Sequence, residues 1–320
     1  MSRLSRMLLA LCVLALLAGC GGTAEDPSER PATLVLDFQP NAVHAGVYLA
    51  LQRDYDGDEG VRLHVQVPSS STDSVKALLS GRAQFAILDI HDLALAREKG
   101  RDIVGVMAFV QRPLAAVLAQ PAVRRPRDLD GKLVGVTGVP SDDAVLRSIV
   151  QGDGGDPSGV HVVTIGFQAV PAMLARRVDG ATAFWNAEGV ALRGRRPGIR
   201  EFRVDDYGAP PYPELVLCVS RETLRDDRPL IASTVRALRR GYDETIADPE
   251  SAVEAMVEAA GVDRTDTASE LDAVSPAFTE GAPRFGALRP APLRAWAAWE
   301  ARFGITRKPP NVARTFAFGF

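Results

Sequence analysis

The chain has 320 residues, 46% of them hydrophobic, with 37 basic side chains against 40 acidic ones and a formal net charge of −3. A mildly acidic balance without a basic stripe argues against nucleic acid as a partner, and the apolar content suffices for one large or two medium cores. Of its three cysteines, Cys12, Cys20 and Cys218, only Cys218 lies beyond residue 31, so the folded part can form no internal disulfide.

Arg3 and Arg6 precede an apolar run from Met7 to Leu17, which suits a signal-peptide core and falls short of the roughly 20 residues that span a bilayer. The run ends in Leu17-Ala18-Gly19-Cys20, which looks like a bacterial lipobox. Cleavage before Cys20 would leave its thiol to carry a diacylglycerol. Residues 1–20 are therefore expected to be a lipoprotein signal peptide, and residues 21–31, small, polar and proline-containing, a solvated tether.

The rest alternates short apolar runs with amphipathic stretches, which predicts an α/β fold with largely parallel sheets. Strands are expected at Thr33–Asp37, Val61–Val67, Phe85–Leu88 and Ile103–Val110, with helices from Asn41 to Asp54, through Val75, Leu78 and Leu79, and from Ile90 to Lys99. A second block offers strands ending at Val136, at His161–Ile165 and at Ala181–Trp185, with helices at Ala144–Gln151 and Ala169–Arg177. A loop rich in Arg, Gly and Pro leads to a strand at Glu214–Val219, and helices follow at 230–247, 249–260, 266–274 and 292–303. The apolar crossings near 113–119 and 212–219 suggest lobe 1 at 32–117 and 212–320, lobe 2 at 118–211, and a two-crossing hinge. No Gly-x-Gly-x-x-Gly follows the first strand, which weakens a dinucleotide-binding reading.

Polar and aromatic side chains gather where strands end and helices begin, the usual place for a ligand in such folds. Phe38 offers a stacking face. Asn41 and His44 sit at the first turn of the next helix, where Asn41 serves equally well as a cap. Ser70 belongs to a hydroxyl cluster, Ser69 to Thr72, suited to capping or to an electronegative ligand atom. Asp89, His91 and Asp92 follow the third strand, and Thr137, Ser141 and Asp142 hold the matching place in lobe 2. Trp185, Asn186 and Glu188 end another strand, and a carboxylate there could accept donors from a ligand. Tyr212 and Glu214 stand at the return crossing, placed for ligand contact or for shaping the hinge. No HExxH, P-loop or Gly-x-Ser-x-Gly occurs, and neither a metal nor a cofactor is expected.

The run Leu36-Asp-Phe-Gln-Pro-Asn-Ala-Val-His-Ala-Gly-Val-Tyr-Leu-Ala50, with Leu79-Ser-Gly-Arg-Ala-Gln-Phe-Ala-Ile87, Leu129-Asp-Gly-Lys-Leu-Val-Gly-Val136 and Tyr212-Pro-Glu-Leu215, resembles the SsuA/Thi-type periplasmic solute-binding proteins of ABC importers. The likeness covers nearly all of residues 32–260. It implies a type II periplasmic-binding-protein fold whose two α/β lobes close over a small solute, a monomer that docks on an ABC permease. The thiamine-like subgroup implies a pyrimidine precursor as ligand, with Glu188 supplying a ring-binding carboxylate. Phe38 replaces the Trp and Val43 the acid common among those relatives, so riboflavin, a sulfonate, nitrate or another small heterocycle stays open. A yeast relative makes the thiamine pyrimidine with a pyridoxal-phosphate lysine and a histidine four residues on. His91 matches that histidine, but Ile87 holds the lysine position, and without an amine no Schiff base can form. The resemblance thus implies a binding protein, held outside the cell membrane by its lipid.

Overall fold

The computed structural model describes residues 29–70 and 72–320. The expected signal peptide, the lipobox with Cys20 and most of the expected tether lie outside those residues. The first strand, β1 (Arg30–Val35), opens two residues inside that tether and ends two residues before the predicted Asp37.

Alternating runs form two five-stranded sheets. In sheet 1, β1 pairs with β2 (Val61–Gln66) and β3 (Phe85–Asp89), followed by β10 (Leu215–Ser220) and β4 (Ile103–Ala108), in the order β2-β1-β3-β10-β4. Sheet 2 holds β5 (Ala115–Ala119), β6 (Leu133–Val136), β7 (His161–Thr164), β8 (Gly180–Phe184) and β9 (Arg200–Arg203), in the order β7-β6-β8-β5-β9. The two orders are the same pattern. In each, the fourth place goes to the strand that has just crossed from the other sheet.

That exchange corrects the expectation of largely parallel sheets. β10 runs antiparallel to β3 and β4, and β5 runs antiparallel to β8 and β9. A strand arriving from the opposite lobe enters from the far end, so its direction is reversed. β9 falls within the expected loop: only Phe202 of its four residues is buried, and the charged Arg200, Glu201 and Arg203 give no apolar alternation. An edge strand of this kind becomes visible only through its partner, here β5.

Three helical segments also depart from expectation. Residues 41–54 form a single turn at Ala42–His44, then a helix Ala45–Gln52. Glu188–Arg195 is a helix where a loop was expected, its Gly189 and Gly194 masking the signal. In the C-terminal part, the helix Arg264–Thr279 runs past the expected end at Val274, through Pro276.

Among the described residues no helix is long and apolar enough to cross a membrane. One buried cluster lies between sheet 1 and the C-terminal helices, where Tyr242 stacks on Phe285 with ring centroids 3.9 Å apart. A second cluster joins side chains of both sheets to Trp296 and Trp299 of the helix Pro290–Arg302. The helix Arg228–Ala247 packs against Ala45–Gln52 so closely that a Cβ on Gly241 would lie 2.1 Å from the Gly46 carbonyl oxygen. Gly241→Ala is accordingly expected to destabilise the fold by about 1–3 kcal/mol through overpacking, measured as a lower urea midpoint. An unchanged midpoint would mean that the two helices separate freely.

Candidate functional site

The ends of β1, β3 and β10 face those of β6 and β8 across a cleft between the lobes. Its walls include Asp37, Phe38, Asn41, Ser74, Ile87, Asp89, His91, Asp92 and Glu214 from one side, and Thr137, Ser141, Asp142, Phe167, Thr182, Phe184 and Glu188 from the other. No lysine or arginine is among the lining residues.

At the end of β1, local hydrogen bonding places three side chains. Asn41 accepts from Val43 N at 3.1 Å, while His44 Nδ1 accepts from Asn41 N at 3.2 Å, a reciprocal capping box. An Nδ1 that accepts leaves the proton on Nε2, which donates to Asp37 at 2.8 Å. His44 is wholly buried and lies behind Asp37 rather than on the cavity wall. Its work is to aim Asp37. Phe38 meets Phe167 of the other lobe edge to face, centroids 4.6 Å apart.

The helix Asp73–Leu79 begins at Thr72 without a side-chain cap, and the neighbouring hydroxyls bond locally instead. Ser69 bonds Asp73 through backbone and side chain, and Ser70 lies 3.3 Å from Thr72, so Ser70 is not on the cavity wall. The hydroxyl that reaches the wall is Ser74, which donates to Leu36 O at 2.6 Å.

In lobe 2, Asp142 is saturated with donors: Thr137 Oγ1 at 2.7 Å, Gly138 N at 2.8 Å, Val139 N at 3.1 Å and Thr182 Oγ1 at 2.8 Å. Glu188 starts its helix and accepts from Phe184 N at 3.2 Å. Burial raises its pKa and the Asp37 charge adds to the effect, against the backbone hydrogen bonds. Glu270, on the helix Arg264–Thr279, accepts from Ala42 N at 3.2 Å, and burial with the charges of Asp266 and Glu188 lifts it to about 7. Its neighbour Asp266 pairs with Arg195 at 2.6 Å, tying this helix to lobe 2.

Trp185 and Asn186 are not among the residues on the cavity wall. Buried Trp185 donates its indole N–H to Pro113 O at 2.9 Å, and the Arg203 guanidinium sits 4.0 Å from its ring. Asn186 is buried with no partner for either amide atom.

At the inner end, Asp89 caps the helix Ile90–Glu98, accepting from His91 N at 2.7 Å. His91 is buried, its Nδ1 bonded to Glu300 and its Nε2 at 3.2 Å from the Tyr212 hydroxyl and 3.4 Å from Glu214 Oε1. Tyr212 is wholly buried behind His91 and off the cavity wall. Glu214 Oε2 accepts from Leu114 N at 2.6 Å and Ala115 N at 3.0 Å, so this side chain of the return crossing grips the outgoing one. Burial opposes the charge on His91, but Glu300 and Asp89 outweigh it and hold the imidazole well above its usual value. Burial pushes Asp89 well up, His91 notwithstanding, and takes Asp92 to about 6.

Phe38, Asn41, Asp89, His91, Thr137, Glu188 and Glu214 thus share one cavity, as do Asp92, Ser141 and Asp142. The sequence reading misses Asp37 and Phe167, although Asp37 directly precedes Phe38 and ends an apolar run. Nothing local points to Glu270 or Glu300, which lie far along the chain.

A family model described as NMT1/THI5 like matches residues 41–252. The formylaminopyrimidine-binding protein of Halalkalibacterium halodurans is 30% identical over 79% of this chain and 78% of its own. The 4-amino-5-hydroxymethyl-2-methylpyrimidine phosphate synthase of Legionella pneumophila is 23% identical over 71% of this chain and 73% of its own. Among solved structures, the alkanesulfonate-binding protein SsuA of Xanthomonas axonopodis pv. citri superposes with a TM-score of 0.72, covering 92% of this chain and 100% of its own at 16% identity. That last likeness shows the periplasmic-binding-protein fold.

A carboxyl held near 6 instead of 3.8 favours folding while protonated, and this contribution is lost as pH rises through about 6. In the ligand-free protein Asp92→Asn is expected to stabilise by about 1–3 kcal/mol at pH 7.5 and by almost nothing at pH 4. Urea midpoints of both proteins across that range measure this. A gain that persists at pH 4 would contradict the electrostatic origin.

Proposed function

The chain belongs to the NMT1/THI5-like family, and from that premise we propose that it is an extracytoplasmic solute-binding protein whose cleft takes a thiamine-pathway pyrimidine, hydroxymethyl or formylaminomethyl. The observation that carries this reading is the chemistry of the cleft wall: carboxylates and aromatic rings from both lobes, and no lysine or arginine among the lining residues. A sulfonate or nitrate would enter a field whose one lining imidazole, His91, is already paired with Glu300 and Glu214. An aminopyrimidine instead presents an N–H edge to Glu188 and a π-face to Phe38 or Phe167. The raised pKa of Glu188 also suits sharing a proton with a ring nitrogen.

Closure follows from the contacts. Ligand touching Phe38 and Asn41 in one lobe and Glu188 in the other stabilises the arrangement in which the lobes meet, and that form docks on an ABC permease. The helix Arg264–Thr279 already reaches both sides through Glu270 and Asp266. Binding without chemistry is the reading we favour over a pyrimidine synthase. Ile87, where the resemblance would place a Schiff-base lysine, is wholly buried on β3 and lines the cavity with no amine to offer. In this reading residues 1–19 are removed and Cys20, the new N-terminus, carries the lipid that keeps the receptor beside its importer.

Calorimetry with pyrimidines, riboflavin, taurine and nitrate tests the ligand class. Pyrimidine binding is expected, with Glu188→Ala weakening it by about 10- to 100-fold. An anion that binds while pyrimidines do not would overturn the reading. Mass spectrometry of the mature N-terminal peptide is expected to find Cys20 at the new terminus with acyl chains on it, and a mature terminus elsewhere or without lipid would refute the anchor.

A further inference from the structure

The inner end of the cleft carries more negative charge than its own groups offset. Asp89, Asp92, Glu214 and Glu300 surround His91, and among the described residues that imidazole is the cation paired with Glu214 and Glu300. Among the described residues neither Asp89 nor Asp92 forms an ion pair; the charge of His91 reaches both, and that of Lys99 reaches Asp92, only through the field. Asp142, which faces Asp92 from lobe 2, is already saturated by four donors and offers no relief. A second observation concerns one atom of this group. Glu214 is wholly buried on the cavity wall, and its Oε1 lies 3.4 Å from His91 Nε2 but accepts no hydrogen bond. A buried carboxylate oxygen without a donor is costly, and a donor brought by a ligand removes the cost.

Resting on the pyrimidine reading above, we propose that this end of the cleft receives a protonated amine, so that the preferred solute is a pyrimidine bearing an ammonium arm rather than a neutral hydroxymethyl or formamide one. An ammonium has three donors and no acceptor, which suits Asp89, Asp92 and Glu214 Oε1 together. Its charge completes the site. A divalent metal fits less well. Both ring nitrogens of His91 are already engaged, Nδ1 with Glu300 and Nε2 at 3.2 Å from the Tyr212 hydroxyl, so a metal would have to displace one of those partners.

The test is calorimetric competition at pH 7.5 in EDTA among three ligands: 4-amino-5-hydroxymethyl-2-methylpyrimidine, the pyrimidine named in the synthase relative, its aminomethyl counterpart, and the N-formyl derivative of that amine. The aminomethyl compound is expected to bind at least about tenfold more tightly than either neutral one. Asp89→Asn and Asp92→Asn, which remove charge but leave cap geometry, are expected to bring that ratio towards one. Neutral pyrimidines binding as tightly as the amine would overturn the ammonium proposal and leave the pyrimidine reading standing. Failure of all three would remove both. A preference that appears only when zinc replaces EDTA would assign the end to a metal and also overturn the proposal. The ratio measured on the unaltered protein decides the matter even if a variant fails to fold.

Discussion

The imidazole of His91, held between Glu300 and Glu214, is the interaction on which the rest of the architecture depends. It ties three distant segments together: the helix that follows β3, the return crossing before β10, and the C-terminal helix Pro290–Arg302. Glu214 extends the tie by receiving Leu114 N and Ala115 N at the outgoing crossing, and its carbonyl accepts Ile90 N at 2.8 Å. Both crossings between the lobes are thus anchored to one carboxylate. Burying such charges is expensive, and removing one partner costs about 3–5 kcal/mol because the other is left uncompensated. The network therefore gives the hinge a defined geometry more than it gives the fold net stability.

Around that pivot the two sheets repeat one pattern, each accepting a reversed strand from the other. Strand exchange makes the lobes mutually dependent at the hinge and leaves them free to close elsewhere, the arrangement suited to a rigid-body motion about two crossings. The cleft opens at strand ends in both halves, so any solute inside it faces helix starts and short loops from both. Asp37 oriented by His44, Asp142 filled by four donors and Glu188 held by Phe184 N show the same device three times: a carboxylate positioned by its own backbone neighbourhood. Such groups present their charge without reorganising when a ligand arrives.

Residues that act through nearest neighbours in the chain are legible in the sequence alone. Phe38, Asn41, Asp89, His91, Thr137 and Glu188 follow apolar runs and start helices, and each faces the cleft. His44, Ser70, Trp185, Asn186 and Tyr212 share that signature yet lie off its wall. The signature reports position along the chain, whereas a nearby side chain can turn inward to hold its neighbour, as His44 holds Asp37.

By itself the sequence determined the α/β class, the two crossings, the places where strands hand over to helices, and the want of an amine at Ile87, because hydrophobic periodicity and residue identity are local properties. Only the tertiary structure decided that the sheets are mixed, that Arg200–Arg203 is a strand, and that Glu270 and Glu300 hold Ala42 N and His91 from behind the cavity wall. The physical reason is the same in each case. Strand direction, edge pairing and the neutralisation of a buried charge are settled by partners up to 209 positions away along the chain, and no local window contains them.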